Sequence, residues 1–103
     1  MKSLRSFGIL TMFIVSILPT YAANPQHGLA LAKRWCASCH LVSPDQRRAS
    51  ADVPPFATIA KSPSFDAKQL AYFLLEPDPK MPDLPLSRAA ADDIAAYIAM
   101  LKQ

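Results

Sequence analysis

The sequence predicts a small all-α domain of about four short helices. No segment of the 103-residue chain alternates polar and apolar residues as a half-buried strand does. Three segments instead combine a residue that caps helix N-termini with apolar residues at helical spacing. The chain has ten prolines against two glycines, so turns built mainly of proline, aspartate and serine separate those segments.

The first 22 residues have the layout of an export signal peptide. Two basic residues precede an apolar run over residues 7–18, and small residues follow at Ala22 and Ala23. We expect cleavage after Ala22, with cleavage after Ala23 as the alternative, and a mature domain over residues 23–103. An uncleaved membrane anchor is the other interpretation, but a spanning helix needs about 20 mostly apolar residues, more than this run contains.

The mature domain has little net charge and only two cysteines. Without the basic residues of the signal, nine lysines and arginines stand against eight acids, so the formal charge falls from +3 to +1. The basic pairs at residues 33–34 and 47–48 are isolated, so we expect no nucleic-acid partner. A domain of roughly 80 residues has a marginal core, and two cysteines make no disulfide framework. A covalently attached apolar cofactor would complete that core.

The first predicted helix begins with Asn24 as its N-cap and Pro25 at its first position, where both residue types are favoured. One face of this helix leads directly into Cys36 and carries Gly28, Leu31, Ala32 and Trp35. Residues 41–55 are polar and irregular, which is typical of a surface loop. A short helical turn is expected over residues 56–60, ending before the next proline.

The third predicted helix has the strongest start signal, because Asp66 and Gln69 form a capping box. It should end at Leu75 or Glu76, before a proline. Its inward face is expected to consist of Leu70, Phe73 and Leu74.

A proline-rich loop and a last helix complete the chain. Residues 77–85 contain four prolines and can be neither helix nor central strand, so an extended, stiff loop is predicted. Ser87 then caps a helix from Arg88 to about Lys102. Its apolar residues recur at helical spacing: Ile94, Tyr97, Ile98 and Leu101.

The segment Cys36-Ala37-Ser38-Cys39-His40 carries the chemistry of the chain. One helical turn presents two such thiols to the two vinyl groups of a porphyrin, while the adjacent imidazole reaches the iron. The spacing therefore predicts covalent haem attachment through Cys36 and Cys39, with His40 as the proximal iron ligand. A thioredoxin-like dithiol needs a βαβ context, and a zinc site needs two more ligands. His27 is the only other histidine, and no further cysteine exists.

The mature chain resembles the class I monohaem c-type cytochromes of the bacterial periplasm. The resemblance depends on the order of Gly28 eight residues before Cys36, the attachment motif, Met81 in a late proline-rich loop, and residues 93–98 on the last helix. It implies a cytochrome c-like fold in which the helices wrap one covalent haem c. It also implies that the first and last helices cross closely at Gly28, with Tyr97 packed on the glycine backbone.

The second axial ligand of the iron decides between electron transfer and substrate binding. Met81 lies 41 residues after His40 in a stiff loop, which holds a thioether at little entropic cost. Met100 lies on the last helix, away from its apolar stripe. We therefore expect Met81 to bind the iron, the alternative being a methionine that only packs on the porphyrin.

The resemblance further implies a proline carbonyl that accepts a hydrogen bond from the His40 imidazole. Pro54 is the first candidate and Pro55 the second. Two prolines that merely stiffen a surface loop are the remaining interpretation.

A His/Met pair closes the coordination of the iron and raises its reduction potential. The expected function is therefore a periplasmic one-electron carrier that cycles between Fe(II) and Fe(III), and not an enzyme. Expected partners are redox proteins, a donor dehydrogenase or respiratory complex and an acceptor oxidase or reductase, bound through a small transient interface. A membrane is a partner only if the signal is uncleaved, and the protein is expected to be a monomer or part of a hetero-complex.

Two other functions remain open on the sequence. The same domain would serve as the haem c subunit of a periplasmic dehydrogenase, with a stable interface. If Met81 does not bind, an open iron site would suit a haem enzyme such as a peroxidase.

Overall fold

The computed structural model describes residues 3, 6, 8–17 and 22–103. Residues 8–17 form no helix or strand, and their large apolar side chains are exposed. Within the described ranges, no helix is both long and apolar enough to cross a bilayer. Several features of the predicted signal peptide lie outside the described residues, so the signal and its cleavage stay predictions: Lys2, Arg5, Phe7, Leu18, Pro19, Thr20 and Tyr21.

Four helices among the described residues confirm the all-α prediction. They are α1 (Pro25–Trp35), α2 (Phe56–Ala60), α3 (Ala67–Leu75) and α4 (Arg88–Met100). In the part of the chain that the structure describes, the only β geometry is an isolated bridge between Asp78 and Met81. Helix α4 ends two residues earlier than expected. Its last turn tightens where the Leu101 N–H donates to the carbonyls of Ile98 and Ala99.

The three predicted N-caps all form. Asn24 accepts from the His27 N–H at 3.1 Å, Asp66 accepts from the Gln69 N–H at 2.9 Å, and Ser87 accepts from the Ala90 N–H at 3.0 Å. Each bond satisfies a backbone donor that has no partner inside its helix, and each is worth about 1 kcal/mol. Because these signals are local, the helix starts follow the sequence closely.

Helices α1 and α4 cross at Gly28, as expected. A Cβ atom at Gly28 would lie 2.5 Å from the Asp93 carbonyl carbon and 3.0 Å from the Ile94 nitrogen. The backbone of α4 therefore lies against this glycine, and the packing of Tyr97 on it stays a prediction. Tyr97 is buried one turn further on, where its hydroxyl donates to the Val42 carbonyl.

Helix α4 is the centre of the fold and contacts each of the other three helices. Its contact with α3 uses the small residues Ala71, Ala91 and Ala95, which let the two helices approach closely. On its other face it joins the main core, whose buried members include Ala32, Val42, Phe56, Ala60, Ile94 and Ile98. Val42 and Phe56 belong to the segment after the cysteine motif, so that segment is anchored in the core and its ends are not free surface loop.

Candidate functional site

A cavity of about 330 Å³ lies where the cysteine motif, α2, α3 and the proline-rich loop meet. Its walls are mostly apolar and are contributed by Trp35, Val53, Phe56, Ile59, Leu70, Phe73, Leu74, Leu84 and Ile98. The predicted inward face of α3 therefore borders this cavity. Phe73 is 43% exposed because its ring faces the cavity and not the closed core. The cavity suits a large, flat, apolar group.

The two cysteines line this cavity from the end of α1. Cys36 is the C-cap of α1, and its carbonyl accepts from the Cys39 N–H at 3.2 Å and the His40 N–H at 2.9 Å. This turn brings both thiols and the His40 imidazole to one wall. Cys36 is 7% exposed and burial raises the pKa of its thiol to about 11, whereas Cys39 is exposed. Both thiols are free, so the pair forms no disulfide.

The other histidine is engaged elsewhere. His27 Nδ1 lies 2.6 Å from Asp93 Oδ2, and the Asn24 N–H donates to Asp93 Oδ1 at 2.7 Å. These contacts fasten the start of α1 to α4, away from the cavity. Within residues 22–103 and the other described positions, no cluster of three or more His, Cys, Asp or Glu side chains has the arrangement of a metal site.

The orientation of His40 is set by a backbone carbonyl. His40 Nδ1 lies 2.8 Å from the Pro54 carbonyl oxygen. Because a carbonyl oxygen only accepts, Nδ1 carries the proton, and the lone pair of Nε2 is available to a metal. The Pro55 carbonyl instead accepts from the Thr58 and Ile59 N–H groups of α2. The structure thus brings Pro54, the first of the two candidates, to the imidazole.

Met81 lies on the cavity wall within the proline-rich loop and is partly buried. Of the methionines that the structure describes, Met12, Met81 and Met100, only Met81 lines the cavity. Met100 is 53% exposed on α4. The loop around Met81 is held by local contacts, the bridge to Asp78 and a 2.7 Å bond in which the Lys80 N–H donates to Asp78 Oδ1.

The segment after His40 is fastened by two side chains. The Tyr97 hydroxyl donates to the Val42 carbonyl at 2.5 Å. Burial, with a smaller contribution from the charge of Asp45, raises the pKa of Tyr97, so the phenol stays a neutral donor. On the other side of the segment, the Gln46 amide bonds to four backbone groups. Nothing in the sequence singles out Gln46, because it stands in an irregular polar loop without periodicity.

A comparison with known proteins shows a similarity that covers nearly the whole chain. Cytochrome c-552 of Bradyrhizobium diazoefficiens is 52% identical over 99 residues, which cover 96% of this chain and 95% of that protein. No protein-family model matches the chain, and no solved structure does.

Proposed function

This chain belongs to the c-type cytochromes, and we propose that it carries single electrons on an iron held by His40 and Met81. Its cofactor is haem c, and the spacing of Cys36 and Cys39 fits covalent attachment through two thioethers. Haem c supplies an iron that takes up and releases one electron. The observation that carries the proposal is that both thiols, the imidazole and the Met81 side chain line one apolar cavity.

The cysteine wall fits an attached porphyrin. Cys36 and Cys39 are one turn apart, and the turn is fixed by the bonds to the Cys36 carbonyl. Cys36 is buried in the core, and Cys39 is exposed at the edge of the cavity. Two thioethers at these positions would anchor one edge of a flat ring, and the rest of the ring would lie against α3. The apolar walls on the remaining sides exclude water from such a ring, and its burial would supply the core area that a domain of this size lacks.

His40 is prepared as an axial ligand. The Pro54 carbonyl holds the proton on Nδ1 and leaves Nε2 free to bind, and it also fixes the ring plane. The Phe56 ring, whose centroid lies 5.2 Å from that of the imidazole, limits rotation of the ring further. An imidazole held in this way keeps its position when the charge of the iron changes by one unit.

Met81 supports the closed site of an electron carrier in preference to the open site of an enzyme. A thioether is a soft ligand that binds no proton, and an His/Met pair raises the reduction potential. If His40 and Met81 both held the iron, a peroxide or gas ligand would find no free position there. The partners are then redox proteins, and the layout of residues 1–22 supports export to the periplasm.

A comparison of Met81→Ala with Met100→Ala tests this proposal. We expect wild type to retain haem covalently after denaturation, as measured by the pyridine haem assay. The ferric spectrum should show the weak methionine-to-iron band in wild type and in Met100→Ala, and Met81→Ala should lose it. Met81→Ala should also have a lower reduction potential, because the thioether ligand that raises it is removed.

Three results would contradict the proposal. Release of haem on denaturation would contradict covalent attachment. A Met81→Ala spectrum and potential equal to those of wild type would remove the His/Met ligation. Purification of the protein only within a stable complex with a dehydrogenase would replace the free carrier by the dedicated subunit.

A further inference from the structure

The side chain of Gln46 makes an unusual number of backbone contacts close to the haem attachment segment. Its Oε1 accepts from the Val42 N–H at 3.0 Å. Its Nε2 lies 3.0 Å from the Ala37 carbonyl oxygen and 2.7 Å from the carbonyl oxygens of His40 and Arg48. Gln46 is partly buried and does not line the cavity. Any effect it has on the haem therefore passes through the backbone.

Only a primary amide meets these four backbone groups. Nε2 has two protons and no lone pair for a donor, so it suits three carbonyl oxygens, one proton being shared between two of them. Reversing the amide would place Oε1 against those three oxygens and Nε2 against the Val42 N–H. The orientation of the Gln46 amide is thus fixed by its surroundings.

These contacts tie together the backbone that presents the cysteines and His40. Ala37 lies between the two thiols, and its carbonyl and that of His40 bond to the same nitrogen. Ser50 completes the set, since its N–H donates to the Cys39 carbonyl at 2.9 Å. Val42 is held at its N–H by Gln46 and at its carbonyl by the Tyr97 hydroxyl. The backbone around His40 is consequently fastened before and after the imidazole.

We propose that Gln46 is a positioning residue for the proximal ligand. By holding the carbonyls of Ala37 and His40, its amide fixes the direction in which the His40 ring leaves the backbone, and so its alignment with the Pro54 carbonyl. The inference rests on the proposed role of His40 as iron ligand. A residue that only stabilised the loop would change the free energy of unfolding without changing the state of the imidazole in the folded protein.

The test uses the holoprotein and two substitutions of similar size. Gln46→Met removes all four hydrogen bonds. Gln46→Glu replaces the donor nitrogen by a carboxylate oxygen, which the three carbonyl oxygens repel. Ser87→Ala is the matched control, because it removes the N-cap bond of α4 and lowers stability away from this segment.

Three quantities are measured in each protein: the exchange rate of the His40 Nδ1 proton and of the Val42 amide proton by NMR, and the reduction potential. We expect the His40 proton to exchange at least about tenfold faster in both Gln46 variants, the factor that losing one or two net hydrogen bonds gives. Their potentials should move in the same direction, while Ser87→Ala keeps the wild-type values. The Val42 amide should lose protection in both variants, because the three carbonyl oxygens repel the carboxylate oxygen that replaces Nε2 in Gln46→Glu.

The inference would be overturned if both Gln46 variants kept the wild-type exchange rate of the His40 proton and the wild-type reduction potential while their stability fell as in Ser87→Ala. Gln46 would then only stabilise the loop. Gln46→Glu keeps the test open if Gln46→Met does not fold. Failure of the proposed function is distinguishable, because wild type itself would then lack covalent haem or the methionine-to-iron band. That result would also overturn the inference about Gln46, because the inference needs His40 to be an iron ligand.

Discussion

The two walls of the cavity that hold the predicted axial ligands are built by different physical means. The His40 wall, residues 36–56, is fastened by long-range hydrogen bonds and by buried side chains such as Val42 and Phe56. The Met81 wall, residues 77–85, makes short-range contacts and contains four prolines. Hydrogen bonds restrain the folded chain directly, whereas prolines restrain it by removing alternative backbone conformations.

This difference suits the two ligands. An imidazole needs a fixed ring plane and a fixed proton, which only directional bonds supply. A thioether needs only to be within reach, since sulfur carries no proton and binds without a hydrogen-bond partner. A carrier of single electrons works best when neither ligand moves, and the two walls reach that state by different routes. Substitutions in each wall separate these routes.

The largest effect is expected where both walls share a support, the crossing of α1 and α4. Gly28→Ala places a methyl group 2.5 Å from the Asp93 carbonyl carbon, so one backbone must move. We expect the free energy of unfolding to fall by about 3 kcal/mol, as for severe overpacking. Denaturant unfolding of the holoprotein measures it. A fall in unfolding free energy of less than about 0.5 kcal/mol, as for a substitution at an exposed site, would show that the helices do not cross as described.

Tyr97→Phe tests the His40 wall. It removes the hydroxyl that donates to the buried Val42 carbonyl and leaves that oxygen without its side-chain partner. We expect a loss of about 1–3 kcal/mol in unfolding free energy. Tyr72→Phe is the control, because Tyr72 is 51% exposed and its hydroxyl accepts from Arg88 at the surface. Equal losses in the two variants would mean that Val42 is not a specific anchor.

Pro82→Ala tests the Met81 wall. The substitution frees the backbone next to Met81 mainly in the unfolded chain, so unfolding free energy should fall by only about 0.4–1 kcal/mol. The affinity of the ferric protein for added imidazole should rise, because the loop that has released the thioether also gains backbone freedom. Tyr97→Phe should show the reverse pattern, a larger loss of stability and a smaller gain in imidazole affinity. The same pattern in both variants would erase the distinction between the walls.

The smallest effect is expected at Asp78, which accepts from the Lys80 N–H in the loop. Asp78→Ala removes one partly exposed local bond, worth about 0.5 kcal/mol. Thermal unfolding measures the change, and Asp83→Ala in the same loop is the control for charge. A large loss at Asp78 would mean that this wall depends on hydrogen bonds after all.

Local features of the sequence predicted the helices well, because caps and apolar spacing act within a few residues. Asn24, Asp66 and Ser87 cap the helices as expected. The crossing of α1 and α4 at Gly28 was expected, but the close approach of Asp93 was not foreseen, since the register of two crossing helices depends on side chains far apart in the chain. Gln46 was not foreseen, because its partners are backbone carbonyls that carry no sequence signal.

More of the site could be predicted from the sequence on the His40 wall than on the Met81 wall. The spacing of Cys36, Cys39 and His40 is local chemistry, and the structure places all three on one cavity wall. Met81 was chosen from Met100 by its stiff loop, and its ligation stays a prediction. The choice of Pro54 before Pro55 depended on a resemblance, and the carbonyl geometry that distinguishes them exists only in the folded loop.

The proton NMR spectrum of the ferrous protein tests the central claim most directly. A methionine methyl group that binds haem iron lies over the porphyrin ring, so the ring current moves its resonance far upfield of every other methyl. We predict one such resonance in wild type, its retention in Met100→Ala and its loss in Met81→Ala. Its absence from wild type, or its loss in Met100→Ala alone, would contradict ligation of the iron by Met81.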